Sequence, residues 1–411
     1  MKCTLMHKRI AVAEMELDEV TGFILKISKV YEPTHLPVGI ASKRGNALRA
    51  SLNEWWTERS IPASRSGVRK ALEHLEISNT KMLLVRCFGL SLSDQYWIKP
   101  QNADITWGQI NFFENDFSED IGDVLFGKAK KLDGLDFSSP DNTSDGCLKK
   151  RWKIINGKRC LIKGGSNLER QQPFNEVIAT KIMELLGISH VPYSLIWDEK
   201  EPYSVCEDFV NKDTELVSAW RVMQTQNKDN SASVYNHFVD CCEKLGIKDI
   251  RANLDRMIVL DYIIANEDRH LNNFGLIRNA ESLEWIGFAP IYDSGSSLGY
   301  DKRVSQIQKQ SDIVCKPFKK SHVDQIKLVS DFSWIDFEAL AYVPDMIMEL
   351  FSDEGIIEFV DHQRAVAISE SVRKRIGELQ EIAMENVPLE DTTEGDVEED
   401  IAEDYTPKMS M

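Results

Sequence analysis

A polar segment at residues 266–273 constrains the fold of this chain more than any other feature of its sequence. The segment carries four charged or titratable side chains and three amides, and it lies between two apolar stretches. Upstream, apolar residues recur at helical spacing, which predicts a buried helix that ends at this segment. Downstream, residues 274–278 and 284–288 are typical of two strands joined by the polar turn 279–282, and Asp293 follows them.

This order of helix, polar loop, hairpin and acid is what magnesium-dependent phosphoryl transfer requires. Asp268 lies five residues before Asn273, so a single loop can orient a hydroxyl nucleophile and also ligate a metal ion. Asp293, a second acid beyond the hairpin, would complete the metal site. The structural alternative is an acid that caps a turn and pairs with Arg269 where the helix ends.

The sequence D-R-H-L-N-N at residues 268–273, together with Tyr292 and Asp293, resembles the catalytic segment of HipA-like kinases. Phosphatidylinositol kinases carry a similar loop, and ordinary protein kinases keep the same spacing from Asp to Asn. The resemblance covers residues 138–298. It implies ATP and Mg²⁺ as cofactors and an α+β, bilobal protein-kinase-like fold, with a small strand-rich N-lobe, a mostly helical C-lobe and an extra N-terminal domain.

In such an active site the polar residues have distinct roles. Asp268 is predicted to orient the substrate hydroxyl and to accept its proton, while Asn273 and Asp293 are predicted to bind magnesium. Acids that lie close together near phosphates repel one another, so a divalent cation is needed. His270 and Arg269 are predicted to brace the loop or to contact phosphate rather than to act as bases.

A predicted hairpin upstream supplies a lysine that would contact the nucleotide. Asn156-Gly157 is a strong signal for a tight turn, and the second strand ends at Lys163. A helix at residues 173–186 follows, with Glu176 near its start. In kinases such a lysine neutralises phosphate oxygens and the glutamate fixes its position, so both residues are predicted to be catalytic. In isolation the same pair would indicate a surface lysine and a glutamate that favours the helix dipole.

A turn-rich segment before this hairpin is predicted to cover the phosphates of the nucleotide. Consecutive backbone N–H groups in such a segment form an anion nest. The segment also resembles the serine-containing phosphate loop of HipA-like kinases, which can be autophosphorylated. The residues predicted to bind the cofactor here are Ser139, Thr143, Ser144, Asp145 and Gly146.

Residues 207–210 correspond in order to the hinge of kinases, where exposed backbone groups meet adenine. Glu207 and Phe209 are therefore predicted to contact the base of the nucleotide. Because backbone recognition leaves little side-chain signature, this prediction depends on order along the chain alone.

The net charge of −17 limits the classes of function. A strongly acidic molecule repels nucleic-acid phosphates, which argues against broad, sequence-independent nucleic-acid binding by the whole molecule. No apolar run approaches the roughly 20 residues that span a bilayer. The eight cysteines show no C-x-x-C spacing. We therefore expect a cytoplasmic protein with reduced cysteines and no membrane contact.

The length of 411 residues predicts two or three packed units and a tail. The tail is predicted from ten acids in residues 385–404, a stretch without Lys or Arg. The predicted units are an N-terminal mixed α/β domain of unknown role (1–110), a kinase N-lobe with the phosphate loop (111–210), a helical kinase C-lobe (211–385) and an acidic disordered tail (386–411).

Two helices are predicted in the first unit, at residues 46–57 and 63–75. A plain helical hairpin that packs on its neighbour is the favoured interpretation. The alternative is a DNA-binding motif. Its positive charge would come from Arg59, Arg65, Arg69 and Lys70.

These features favour ATP- and Mg²⁺-dependent phosphorylation of a serine or threonine hydroxyl on a protein, with autophosphorylation of the phosphate loop. A phosphatidylinositol-type lipid kinase shares the catalytic loop, although no basic amphipathic stretch marks a membrane-facing surface. A second alternative is a catalytically weak kinase-fold module that binds a small DNA-binding, antitoxin-like partner. A third is a dinuclear phosphoesterase, which leaves Lys163 and Glu176 without a role.

Overall fold

The computed structural model describes residues 1–40, 46–65, 67–127, 134–144, 146, 148–166, 168–309 and 313–386. The predicted site residue Asp145 and the predicted acidic tail after residue 386 lie outside the described residues. The strands, in chain order, are β1 (Lys2–His7), β2 (Ile10–Leu17), β3 (Ile24–Val30), β4 (Tyr96–Pro100), β5 (Lys150–Ile155), β6 (Lys158–Gly164), β7 (Ser194–Asp198), β8 (Glu201–Glu207), β9 (Thr214–Ser218), β10 (Gly275–Asn279) and β11 (Trp285–Phe288).

Short and long helices surround these strands. They are α1 (Asn46–Glu58), α2 (Val68–His74), α3 (Thr80–Arg86), α4 (Trp107–Ile110), α5 (Asp120–Leu125), α6 (Gln172–Leu185), α7 (Ala219–Met223), α8 (Val234–Lys244), α9 (Ile250–Ile263), α10 (Val304–Lys309), α11 (His322–Gln325), α12 (Phe337–Leu340), α13 (Val343–Phe351) and α14 (His362–Glu385). Single 3₁₀ turns lie at Pro33–His35, Pro140–Thr143 and Ile326–Leu328.

The N-terminal unit is built on an antiparallel sheet with the strand order β3-β2-β1-β4. One face of the sheet packs against α1, where Leu5 and Trp56 are fully buried in a common core. The predicted second helix is wrong at its start: it begins at Val68, and residues 62–65 form a turn in which Arg65 N donates to the Pro62 carbonyl at 3.0 Å.

The N-lobe sheet has the order β5-β6-β8-β7, with every neighbouring pair antiparallel. The predicted hairpin is confirmed, because β5 and β6 are joined by Asn156 and Gly157, whose φ angles of 52° and 78° suit a type I′ turn. The helix predicted after it is also confirmed as α6, with Pro173 in its first turn. This helix packs on the sheet and brings its early residues toward the end of β6.

The C-lobe is mostly helical and is built around α9. Leu254, Met257 and Ile263 of this helix are completely buried in a core that also includes residues of α6, α13 and α14. A small sheet with the order β11-β10-β9 lies beside this core, and β10 and β11 form the hairpin predicted after the polar segment. The polar segment 266–273 therefore emerges between the end of a buried helix and the start of a sheet.

The described residues also bear on two predictions, the absence of a membrane-spanning segment and the reduced state of the cysteines. Within them, no helix combines the length and the apolar character that crossing a membrane would require. The seven cysteines in this part of the chain are buried and free.

Candidate active site

A cleft with a volume of about 510 Å³ lies where the N-lobe sheet, the 266–273 loop and the segment after β11 meet. Two of the predicted residues, Ser139 and Glu176, do not line it. Most of the predicted site residues do line it, namely Thr143, Ser144, Gly146, Lys163, Glu207, Phe209, Asp268, His270, Asn273 and Asp293. The fold thus collects residues from both lobes around one cavity.

Lys163, at the end of β6, is the centre of the polar contacts in the cleft. Its Nζ donates to Glu176 Oε1 at 3.1 Å, to Asp293 Oδ1 at 2.8 Å and to the hydroxyl of Tyr193 at 3.1 Å. Glu176 lies behind the lysine in the second turn of α6, and its Oε2 accepts from Ser294 N at 2.9 Å. Glu176 therefore holds both the lysine and the segment that carries Asp293.

Burial and ion pairing set the protonation of this cluster. Burial raises the pKa of Glu176, and the neighbouring ammonium of Lys163 offsets this only in part. Burial acts on Asp293 in the same direction, but the ammonium groups of Lys163 and Lys150 outweigh it and hold the pKa of Asp293 below its usual range. Burial would lower the pKa of Lys163, yet Asp293 and Glu176 raise it well above its ordinary value. At neutral pH we expect Lys163 to be charged and Asp293 to be ionised.

A buried ion pair braces the 266–273 loop. Arg269 is fully buried, and its Nε and Nη2 each donate to the carboxylate of Asp261 at 3.0 Å. Its Nη1 donates to the Tyr292 carbonyl and, at 3.2 Å, to the Asn273 carbonyl. One rigid guanidinium thus joins α9, the loop and the segment just before Asp293, as expected for a bracing residue.

Asp268 and Asn273 are tied together within the loop. Asn273 Nδ2 donates to the Asp268 carbonyl at 3.0 Å, and Asn273 N donates to the His270 carbonyl at 2.8 Å. The backbone N of Asp268 donates to Asn266 Oδ1 at 3.1 Å. The amide nitrogen of Asn273 is engaged inside the loop, so its amide oxygen is the atom left to bind a cation.

The backbone at Asp293 adopts a conformation that side chains seldom take. Its φ of 59° lies in the left-handed region, which aspartate tolerates better than most residues. Such local strain persists only where the surroundings enforce it, and here Glu176 and Arg269 bind the backbone on either side. The strained turn places the carboxylate against Lys163.

A lysine from outside the predicted motif reaches Asp268. Lys316 Nζ lies 2.7 Å from Asp268 Oδ1, and both side chains are about half exposed. The backbone at this position is held by the buried Gln325 of α11, which donates to the Lys316 carbonyl at 2.9 Å and accepts from Phe318 N at 3.0 Å. An ammonium at this place adds positive charge where negative charge would develop during phosphoryl transfer.

The first half of the predicted phosphate loop is a buried structural turn. Ser139 and Asp141 are completely buried, and the Ser139 hydroxyl accepts from Asp141 N at the start of the 3₁₀ turn. Asp141 Oδ1 accepts from Trp152 N at 2.8 Å, which anchors the turn to β5. Burial raises the pKa of Asp141 to about 7. Ser139 thus holds the turn together and is not brought to the cleft.

The second half of this loop is held by the N-terminal unit. Arg65 Nε donates to the Gly146 carbonyl at 2.8 Å, and its Nη1 donates to Ser144 Oγ at 2.9 Å. A third bond joins its Nη2 to the Ser144 carbonyl. Arg65 is 3% exposed, so it does not belong to the exposed basic surface that a DNA-binding motif would need.

Residues after β8 line the end of the cleft that the sequence assigns to the base. The rings of Phe209 and Tyr292 lie with their centroids 5.4 Å apart at this end. Asp208 Oδ1 accepts from Val210 N at 3.0 Å and so fixes the turn. The side chain of Glu207 pairs with Lys158 at 2.6 Å, so we expect contacts of this residue with a base to come from its backbone.

The oxygen donors of the cleft fit a magnesium ion that is shared with phosphates. The carboxylate of Asp293 and the amide oxygen of Asn273 are hard oxygen ligands of the kind Mg²⁺ prefers. Across the described part of the chain, no group of three or more His, Cys, Asp or Glu residues is placed to hold a metal ion. Two protein ligands are fewer than an octahedral ion needs, so the residues fit an ion completed by phosphate and water oxygens.

Sequence reasoning missed several neighbours of the site. Asp261 could have been found from the sequence, because an acid within the apolar run of α9 is costly to bury unless it pairs with a positive charge. No sequence pattern marks the other three neighbours as parts of the site, because each contacts residues that are distant along the chain. These neighbours are Tyr193, Lys316 and Arg65. Such contacts depend on how the lobes pack and leave no local pattern.

Comparisons with known proteins show similarity at the level of sequence family and of fold. A family model described as the HipA-like C-terminal domain matches residues 144–381, which is more than half of the chain. The serine/threonine-protein kinase CtkA of Helicobacter pylori is 28% identical over 160 residues. That match covers 37% of this chain and 46% of CtkA, so the chain spans about half the length of the curated relative it matches.

Solved structures give a likeness over a longer part of the chain. The HipA toxin of Shewanella oneidensis MR-1, solved with HipB and operator DNA, superposes with a TM-score of 0.54 at 13% identity. The superposition covers 94% of this chain and 100% of that chain, and it shows a shared fold that includes the N-terminal unit. The crystal structure of Helicobacter pylori CtkA gives a TM-score of 0.41 at 21% identity, covering 56% of this chain and 95% of that chain.

Proposed function

The chain belongs to the family of the HipA-like C-terminal domain, and from this premise we propose that it transfers the γ-phosphoryl group of ATP to a serine or threonine hydroxyl of a protein. The observation that carries the proposal is the contact of Lys163 with Glu176 and Asp293, inside a cleft that Asp268 and Asn273 also line. A buried ammonium on one lobe and oxygen donors on the other are the parts that phosphoryl transfer needs.

Each residue has a role in this reaction. Lys163 neutralises phosphate oxygens, and Glu176 keeps the ammonium in place when the nucleotide takes over part of its contacts. Asp268 orients the substrate hydroxyl and accepts its proton as the oxygen attacks phosphorus. His270 lines the cleft next to this acid, and its Nδ1 accepts from Asn272 N at 3.3 Å, which supports bracing rather than proton transfer.

Asn273 and Asp293 would hold the magnesium ion. When bound, the ion neutralises the phosphate charge that would otherwise repel Asp268 and Asp293. We expect Mg²⁺ to bind weakly without nucleotide, because the protein supplies only part of its coordination shell.

Autophosphorylation of the phosphate loop belongs to the same proposal. Ser144 lines the cleft, whereas Ser139 is buried under the 3₁₀ turn and caps it. Ser144 is therefore the better acceptor of these two serines, and its modification would break the bond that Arg65 donates to its hydroxyl.

Substitution of Asp268 tests the proposal. The full chain is incubated with Mg²⁺, γ-labelled ATP and dephosphorylated casein, and phosphoserine and phosphothreonine are then measured. Asp268→Asn should lower the initial rate by roughly a hundredfold or more, because the variant lacks the group that accepts the proton. Asp345→Asn is the matched control, since its carboxylate is exposed on α13 and pairs with Arg373 at the surface.

Unchanged labelling in Asp268→Asn would remove this residue from the mechanism. Label that enters phosphoinositide vesicles faster than protein would instead support the lipid-kinase alternative. Absence of transfer to either acceptor, with ATP still bound, would leave a binding module in place of an enzyme.

We also propose a cytoplasmic protein that binds a small DNA-binding partner. The structure of HipA, which covers nearly the whole of this chain, was solved with HipB and operator DNA. With a net charge of −17, the chain itself is a poor general ligand for nucleic acid, so a separate DNA-binding protein is the better contact. Co-purification of a small DNA-binding protein encoded beside this chain would support this proposal, and its failure to bind the purified chain would contradict it.

A further inference from the structure

A second cavity, of about 280 Å³, lies on the C-lobe away from the nucleotide cleft. Its walls are largely apolar and come from α9, α10 and α14, with Ile263, Ile307, Ile368 and Val372 all buried around it. A cavity with such walls favours an apolar occupant, since water finds few polar partners there. None of the proposed catalytic residues lines it.

Arg375 of α14 brings an uncompensated charge into this cavity. Its side chain is 6% exposed, and Nη1 donates to the Tyr262 carbonyl at 2.6 Å. The guanidinium lies over the Tyr262 ring, but its Nε is buried without a hydrogen-bond partner. Among the described residues no carboxylate forms an ion pair with it. A buried charge without a counter-ion is costly, which suggests that the site is completed by something else.

Three other deeply buried arginines of the described chain have more partners than Arg375 has. Arg151 pairs with Glu119 and Asp123, and Arg269 pairs with Asp261. Arg364 has no ion pair within the described part of the chain, yet it donates four hydrogen bonds to amide and carbonyl oxygens. Arg375 alone among these four combines deep burial with a single hydrogen bond and no acidic partner in the described residues.

Two described acids whose charge acts on Arg375, Glu378 and Glu267, are already engaged by other residues. Glu378 accepts from the Tyr262 hydroxyl at 3.0 Å and pairs with Lys374. Glu267, on the cavity wall, pairs with Lys302 at 3.1 Å. Lys309 also lines the cavity, so its described wall carries more positive than negative charge.

We infer that this cavity binds a small amphipathic carboxylate, with the anionic head on Arg375 and the aliphatic body against the apolar walls. The planar guanidinium matches a carboxylate in two parallel hydrogen bonds, which a neutral ligand cannot supply. The inference goes beyond the proposed function, because binding at this place requires no phosphoryl transfer.

The position of the cavity connects it to the active site. Ala265 and Glu267 lie on its wall just before Asp268, and Leu298 lies on it just after Asp293. The two segments are joined by backbone bonds from Leu298 N to the Ile264 carbonyl at 2.7 Å and from Glu267 N to the Ser296 carbonyl at 3.1 Å. A ligand there touches the rear of both segments that carry the proposed catalytic and metal-binding acids.

Calorimetry with octanoate as the probe and 1-octanol as its neutral counterpart tests the inference on the full chain. Octanoate should bind saturably, and octanol should bind at least about tenfold more weakly, because a charged hydrogen bond is worth roughly 1.5–3 kcal/mol. Equal affinity for the two compounds, or no saturable binding of octanoate, would overturn the inference. Neither result depends on whether the chain is a kinase.

Variants of α14 locate the site. Arg375→Met should remove the preference for octanoate over octanol, whereas Arg373→Met should bind like the original chain, since Arg373 is exposed and pairs with Asp345. Ser371→Phe places a bulky ring on the cavity wall, one helical turn before Arg375, and should abolish binding of both compounds while leaving the guanidinium in the chain. If Arg375→Met does not fold, the Ser371→Phe variant still tests whether octanoate binds in this cavity. Octanoate binding that survives Ser371→Phe would place the compound elsewhere and refute the site.

Discussion

At the scale of single residues, the charges around Asp268 and Lys163 differ in how firmly they are held. Lys163 is buried among Glu176, Asp293 and Tyr193, so its position follows from packing as well as from charge. Lys316 is half exposed, and an ion pair of that kind contributes roughly 0–1 kcal/mol to stability. Its backbone is nevertheless fixed by Gln325, and we propose that the ammonium serves phosphoryl transfer rather than the stability of the fold.

Replacement of Lys316 tests this role. Lys316→Met should lower kcat by roughly tenfold to a hundredfold with little change in KM for ATP, because the ammonium would stabilise charge that develops only in transfer. The melting temperature should stay almost constant. Steady-state kinetics with casein provides the measurement, and Lys319→Met, an exposed lysine of the same segment, is the control.

A rise in kcat for Lys316→Met would mean that the lysine masks Asp268 instead of assisting it. An unchanged kcat would make the contact an ordinary surface ion pair.

At the scale of elements, the segment predicted as the phosphate loop is held from two sides. Its first half is anchored to β5 by the hydrogen bond between Asp141 and Trp152. Its second half accepts hydrogen bonds from Arg65 of the N-terminal unit. This differs from a loop that takes shape only around a nucleotide. The turn formers of the sequence predicted the chain reversal, while the buried anchors depend on neighbours from other elements.

The acid in this loop predicts a pH dependence of stability. Burial raises the pKa of Asp141 from its usual value to about 7, so the folded chain holds this proton more tightly than the unfolded chain. Stability should therefore fall as pH rises between these two pKa values and level off above about pH 7. Asp141→Asn removes the titrating group and should flatten this part of the curve.

Chemical denaturation of both proteins at pH 5 and pH 8, followed by tryptophan fluorescence, measures this effect. Between pH 5 and pH 8, the free energy of unfolding of the unsubstituted chain should fall by about 2–3 kcal/mol more than that of Asp141→Asn, since each pKa unit is worth about 1.4 kcal/mol. Parallel changes in the two proteins would show that Asp141 ionises normally.

At the scale of the whole molecule, a buried polar cluster joins the N-terminal unit to the C-lobe. His7 of β1 lies 3.1 Å from the carboxylate of Glu215 in β9, and Arg278 of β10 pairs with the same carboxylate. Arg278 also donates to the hydroxyl of Tyr96 in β4 at 3.1 Å. The unit that the sequence could not assign is therefore bound to the C-lobe through buried polar and charged side chains.

Loss of the shared carboxylate should loosen this interface. Glu215→Gln leaves Arg278 buried without its counter-ion and should destabilise the protein by about 3 kcal/mol. Glu281→Gln is the matched control, because Glu281 pairs with Lys8 across the same interface but is more than half exposed, and it should cost less than about 1 kcal/mol. Thermal unfolding of both variants gives the comparison, and equal losses would contradict the assignment of the cluster as the main polar contact.

Local sequence patterns predicted much of the fold and most of the candidate site. The Asn156-Gly157 turn, helix α6 and the hairpin after the polar segment are confirmed because each follows from turn chemistry or periodicity within a few residues. The second helix was predicted to begin too early, because Gly67 adopts a left-handed backbone with a φ of 84°, so the helix can begin only after it. Lys316 escaped prediction because its contact with Asp268 joins residues that are distant along the chain.

The sequence by itself predicted the β5–β6 hairpin, helix α6, the hairpin after the polar segment and their order, because each follows from spacing and turn residues along a short stretch of chain. The same spacing is the basis on which we propose roles for Asp268, Asn273 and Asp293. Only the tertiary structure decided that Lys163 meets Asp293, two residues separated by 130 positions. It also decided that Arg375 is buried with no acidic partner among the residues that the structure describes. Long-range contacts of this kind arise from the packing of helices and sheets against each other, which no local pattern of residues encodes.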